Sequence, residues 1–184
     1  VRIDSGILHD INLIEEAIAG LTGLPGLSEQ LPEMIRKKYP ELFSTGDTEF
    51  DRMDAKLEVR EGRVQILGLN LDARDFGLRG WGSLSLAGAL DLSTRLAISS
   101  ALSSLLIERA KPLKYLRDDA GRIEIPIRIR GTFPDVSAKP DTAAIAKKLA
   151  AGAAENLAEK SFKKLRKKRH KKAAGAASFD AGRN

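Results

Sequence analysis

His9 and His170 are the two histidines of the chain, the side chains best suited to proton transfer near neutral pH. Neither is well placed for it. His9 adjoins Asp10 in a segment patterned as a helix, where neighbours project about 100° apart and form no dyad. His170 stands in a run of cations that disfavours its protonation. Zero cysteines exclude a thiolate nucleophile, a zinc–thiolate centre and a disulfide framework. No general base emerges, and the residues point away from catalysis.

Asp47, Glu49, Asp51 and Glu58 occupy positions 1, 3, 5 and 12 of a hypothetical calcium loop, but Arg52 stands where that loop needs glycine. Alternating acids on the solvent face of a strand account for them better. Gly77, Gly80 and Gly82 match neither a dinucleotide fingerprint nor a P-loop. Glycines at alternate positions beside Trp81 permit a tight bend of a sheet, or a groove floor that admits an acyl chain. Nothing calls for a metal or a cofactor.

The charge is unevenly distributed. Between positions 160 and 172, Lys160, Lys163, Lys164, Arg166, Lys167, Lys168, Arg169, Lys171 and Lys172 face no acid. The remaining 22 basic and 25 acidic residues leave the rest of the chain at −3, against +6 for the whole. Such a run reads as a solvated tail, as an anchor to anionic headgroups, or as a nucleic-acid contact; Phe162 alone is interleaved, so base stacking has little support.

The elements behind these residues follow from periodicity. Chain length suits one domain, and 42% hydrophobic residues with 5% aromatic imply an aliphatic core. Ile7, Ile11, Ile14, Ile18 and Leu21 predict a helix over about 7–21 that stops at Gly23 and Pro25, and Ser28 caps a second through about Lys38. From about 46 the period becomes two. Ala55, Leu57 and Val59, a Glu61-Gly62 turn, then Val64 and Ile66 predict a hairpin. Leu69, Leu71 and Ala73 resume out of phase, which a β-bulge near Ile66-Leu67-Gly68 would repair. Strands over Phe76–Leu86 and Leu90–Ile98 precede a helix to about Arg109 and a loop from Leu113 to Asp119. A last helix follows Pro140, with Asp141 as N-cap and Ile145, Leu149, Ala153 and Leu157 at steps of four; it is expected to fade into the basic run. No apolar run approaches the ~20 residues that span a bilayer.

The alternation is strictest from Arg122 to Val136: Ile123, Ile125, Ile127 and Ile129 share one face, and Glu124, Arg128 and Arg130 the other. Pro126 within it predicts a sheet edge or bulge. With Gly131-Thr132-Phe133-Pro134 and Lys139-Pro140-Asp141, this segment resembles the closing strand of the AsmA-like C-terminal domain, a family related to the TamB and YhdP proteins of Gram-negative envelopes. His9–Ile14, Gly23–Leu27, Thr48-Glu49-Phe50, Glu61–Val64, Arg79–Gly82 and Lys111-Pro112-Leu113 are similar to further motifs of that family, in order, over roughly residues 6 to 150.

The resemblance implies fold and substrate class rather than an active site. Together with the patterning it predicts an α+β domain: a strongly curved antiparallel β-sheet of five or six strands, a β-groove, flanked by N-terminal helices and a long C-terminal helix. Residues 1–44 would be the helical segment, 45–159 the β-rich domain with the last helix, and 160–184 a basic, disordered tail. Leu69, Leu71, Leu78, Gly80, Gly82, Leu84, Leu86, Ile125, Ile127 and Ile129 are the candidates to line an apolar groove for phospholipid or another acyl-chain lipid; the alternative is an aliphatic face wholly covered as core. Lys163, Lys164, Arg166, Lys167, Lys168, Arg169, Lys171 and Lys172 are the candidates to meet an anionic membrane surface. Lipid transport or outer-membrane biogenesis, periplasm-facing and anchored to the inner membrane by an upstream segment, is the implied role. A chaperone-like partner of outer-membrane assembly proteins is its alternative, and polyanion binding through the tail a third, with no specific nucleic acid.

Overall fold

The alternating segments form an antiparallel ladder in the computed structural model, which describes residues 1–22, 24, 27 and 29–180, the backbone alone at 159, 160 and 164–180. In chain order the strands are β1 (Arg2–Ile3), β2 (Gly6–Leu8), β3 (Thr48–Phe50), β4 (Arg52–Arg60), β5 (Arg63–Asp72), β6 (Phe76–Ser85), β7 (Ala89–Ile98), β8 (Glu124–Thr132) and β9 (Asp135–Pro140). A seven-stranded antiparallel sheet takes the order β1-β4-β5-β6-β7-β8-β9, a meander from β4 onward, and β2 pairs with β3 separately. Helices are α1 (Leu13–Ala19), α2 (Leu31–Lys38), α3 (Ser100–Arg109) and α4 (Thr142–Asp180). The fold is α+β and the sheet is not a closed barrel.

Local chemistry fixes the hairpins. Glu61 and Gly62 take φ of 48° and 72°, the left-handed pair that a two-residue turn between twisted strands requires. The pairing of β4 with β5 shifts between Lys56 and Leu57, and that of β5 with β6 between Ile66 and Leu69. The bulge thus lies where the broken alternation put it, and Leu57, Ile66, Leu69 and Leu71 share one face.

Five readings change. The sheet has seven strands rather than five or six, because the short β1 and β9 join its two edges. Ile7 belongs to β2 rather than to a helix, because α1 starts at Leu13, where the Asn12 side chain caps it by accepting from Glu15 N–H at 3.0 Å. Pro126 is not on an edge strand, since β8 pairs with β7 and β9. Its backbone looks toward β9, where Asp141 N–H donates to its carbonyl at 2.9 Å just past the end of that strand, so the missing N–H lies at a local edge and interrupts no bond to β7. The loop from Leu113 contains most of a 3₁₀ helix, Lys111–Leu116. The basic run is helical rather than irregular: α4 continues to Asp180, as its Ala, Lys, Arg and Glu content favours. The helix stop at Gly23 and Pro25 and the cap at Ser28 lie outside the described residues.

Val1–Leu149 form one compact unit, and the chain from Ala150 a second. The core of the first lies between one face of the sheet and the helices. Leu13, Ile14, Ala17 and Ile18 of α1, Leu31 and Ile35 of α2, Leu102 and Leu106 of α3, and Ile145 and Leu149 of α4 bury themselves with Leu71, Leu78, Leu96, Ile125 and Ile127. At the C-terminal end of the predicted α4 stripe, Leu157 is 67% exposed. Buried hydroxyls tie the layers. Thr48 donates to Ile11 C=O at 2.6 Å and accepts from Leu13 N–H at 3.0 Å; Ser103 donates to Ile98 C=O at 3.1 Å and accepts from Ile123 N–H at 2.9 Å.

Candidate functional site

Cross-strand partners point to the same side of a sheet, so the pairing resolves the aliphatic face into rows. One runs Met53, Leu71, Leu78, Leu96, Ile125; the next Ala55, Leu69, Gly80, Thr94, Ile127; then Leu57, Ile66, Gly82, Leu92, Ile129. The fourth runs Val59, Val64, Leu84, Leu90, Gly131. Helices do not cover these rows evenly. Leu71, Leu78, Ile125 and Ile127 are at most 2% exposed, whereas Leu57 and Val59 are 42% and 71% exposed on the same face.

That unevenness corrects the groove assignment. Leu71, Leu78, Gly80, Ile125, Ile127 and Ile129 are buried and cannot meet a lipid in this arrangement. Leu69, Gly82 and Leu84 are half-buried, and Leu86 is exposed in the turn after β6. The exposed remainder is Leu57 and Val59, bordered by the half-buried Val64, Ile66, Leu84 and Leu90. Leu57, Val59, Val64, Ile66 and Leu90 escaped the sequence-based selection although their alternation was plain. Periodicity identifies a face without showing where its cover ends.

Gly80 and Gly82 have a structural reason. A Cβ at Gly82 would stand 2.0 Å from the Asp91 carbonyl oxygen, and one at Gly80 would stand 2.6 Å from that of Ser93. The glycines let β7 approach β6 closely, which supports the bend rather than a ligand floor.

The acids of the discarded calcium loop have other partners. Asp47 accepts from Asp10 N–H at 2.9 Å and lies 3.2 Å from His9 Nδ1, and the Asp10 bond first, then His9, holds its carboxyl below the usual range against partial desolvation. His9, 74% exposed, thus pairs with a residue of a distant segment rather than with Asp10. Nearby, a cleft of ≈ 780 Å³ is lined by Glu41, Asp47, Glu49, Asp51 and Asp75 together with Ile7, Ile14, Leu42, Phe50 and Phe76, a mixed acidic and apolar lining.

On the second unit, Lys163 and Phe162 are exposed; the side chains of Lys164, Arg166, Lys167, Lys168, Arg169, Lys171 and Lys172 lie outside the described residues, though their backbone is helical. Among the described residues, no helix is long and apolar enough to cross a membrane.

Fold and surface together define an α+β meander domain whose aliphatic sheet face extends past its helical cover. No protein-family model, curated protein or solved structure matches the chain.

Proposed function

We propose that this is a non-enzymatic module of a Gram-negative envelope, inner-membrane anchored through an upstream segment, that shelters acyl chains of phospholipid on the uncovered part of its sheet. The observation that carries the reading is the exposure of Leu57 and Val59 in rows continuous with the core. An aliphatic surface of this kind gains about 0.8 kcal/mol per CH₂ removed from water and needs no polar site. The resemblance to the AsmA family supports the substrate class, and the bulge with its nearby glycines supplies the means for a strongly curved, groove-like sheet. The basic helix would hold the domain at an anionic surface.

A photoactivatable phospholipid with its reactive group at the acyl terminus tests the assignment. Labelling should fall on peptides containing Leu57–Ile66 and Leu84–Leu90. Labelling confined to the opposite face would remove the patch from the mechanism.

A second reading rests on a different feature. The outer side of β4 is paired by Arg2 and Ile3, with Val1 bonded to Ala55, so the backbone from Lys56 to Arg60 has no ladder partner on that side among the described residues. An edge beyond Ala55 accepts an added strand, whether from chain preceding Val1 or from a partner, the latter as in assistance to outer-membrane protein assembly. Peptide binding without lipid would favour it.

A further inference from the structure

We propose that Arg79 of β6 and Arg95 of β7 form an oxyanion site on the polar face of the sheet, taking a phosphate group whose carrier rests against Trp81. The site lies on the face opposite the acyl patch and stands independently of the lipid reading. Arg79 and Arg95 are direct cross-strand partners, and both are exposed. Like charges directly opposite each other destabilise a sheet, so this pair is a cost unless an anion joins it. No carboxylate among the described residues forms an ion pair with either, whereas Arg52, Arg60, Arg128 and Arg130 each have one.

The surroundings specify the ligand. The Arg95 guanidinium carbon lies 5.9 Å from the centroid of the Trp81 ring, which fixes that arm beside a half-exposed indole. A recess of ≈ 270 Å³ opens among them, with Gly77, Ala97 and Asn70 also in its lining. Planar guanidinium groups match phosphate oxygens in a bidentate manner, which ammonium groups do not. Arg122 also lines the recess, its guanidinium paired with Asp118, while Asp72 and Glu124 at the same end would repel an extended polyanion. A compact phosphate ester fits this charge arrangement, and a nucleic-acid strand does not.

Trp81 is the one tryptophan of the chain, so its emission reports on the site directly. The full chain is titrated at constant ionic strength with inorganic phosphate, with glycerol phosphate and with phosphatidylglycerol vesicles. We expect a saturable change, weakened about tenfold or more in Arg79→Gln and in Arg95→Gln, the loss expected for a charge-assisted hydrogen bond, and unchanged in Arg63→Gln. A response to the soluble phosphates identifies a free ester as the ligand; a response to vesicles alone identifies a lipid headgroup, and either supports the site. In phosphate-free buffer Arg79→Gln should melt no lower than the parent chain, which also shows that it folds. Absence of a saturable change in all three titrations, or undiminished affinity in Arg79→Gln and Arg95→Gln, overturns the proposal.

Discussion

Val59 and Val64 are direct cross-strand partners two residues from the Glu61-Gly62 turn, on the face that also carries Leu71 and Ile127. Val59 is nevertheless 71% exposed and Ile127 1%. One aliphatic face therefore has two environments: its covered part holds the fold together, and its β4 end, at Leu57 and Val59, stays in contact with water.

Substitution should separate the two. Ile127→Asp places an unpaired carboxyl in the core, which costs more than the roughly 2–7 kcal/mol of an unpaired neutral polar group, and should unfold the domain or lower its melting temperature sharply. Val59→Asp leaves the charge in water and should change stability by no more than about 0.5 kcal/mol. Urea denaturation of both variants checks this; equal losses would mean that the fourth row is covered in solution.

Ser103 is a buried tie from α3 to the end of β7 and to Ile123, just before β8. Ser103→Ala leaves Ile123 N–H without its acceptor and Ile98 C=O without that donor, and should cost about 1–3 kcal/mol. The measurement is the urea midpoint at unchanged slope. A neutral result would require water or another group to take over both bonds.

Asp118 gives the acid limb of stability a specific contributor. Burial pushes its carboxyl up, but the Arg122 backbone N–H and guanidinium outweigh that and hold it below the ordinary aspartate range. A folded-state pKa below the unfolded one makes this contribution complete above about pH 4 and lost as the pH falls through the folded value. The stability gap between the parent chain and Asp118→Asn should accordingly narrow below about pH 4. A gap constant from pH 7 to pH 2 would contradict it.

Much of this architecture was legible and some was not, for identifiable reasons. The hairpins and the bulge follow from period two, the Glu61-Gly62 turn and the phase break after Ile66, all local signals. β1 and β9 have two and six residues and acquire identity from their partners β4 and β8. Ile7 shared the helical spacing of Ile11, Ile14 and Ile18, yet the cap at Asn12 cut it off and pairing with Glu49 placed it in a strand. The candidate surface was half legible. Alternation marked the aliphatic face, but the placement of α1, α3 and the 3₁₀ helix decides which of its leucines and isoleucines remain in contact with water. The Arg79–Arg95 pairing is a matter of register, which single-strand patterns do not contain.

The basic helix should act electrostatically. Its nine cations between 160 and 172, at about 1 kcal/mol each near an anionic leaflet, suffice for reversible attachment that weakens over a Debye length of ~8 Å at physiological salt. Co-sedimentation with anionic vesicles should fall steeply with salt, and removal of residues 160–184 should reduce it while barely altering the melting temperature. Equal binding with and without the segment would assign the membrane contact to the first unit.

The most direct test of the acyl-binding claim is mass spectrometry of lipid extracted from the purified chain and from Leu57→Glu/Val59→Glu, at equal melting temperatures. The account predicts lipid bound to the parent chain and its loss from the variant. Undiminished lipid in a folded variant, or none on the parent chain after expression in a phospholipid-containing envelope, would contradict it.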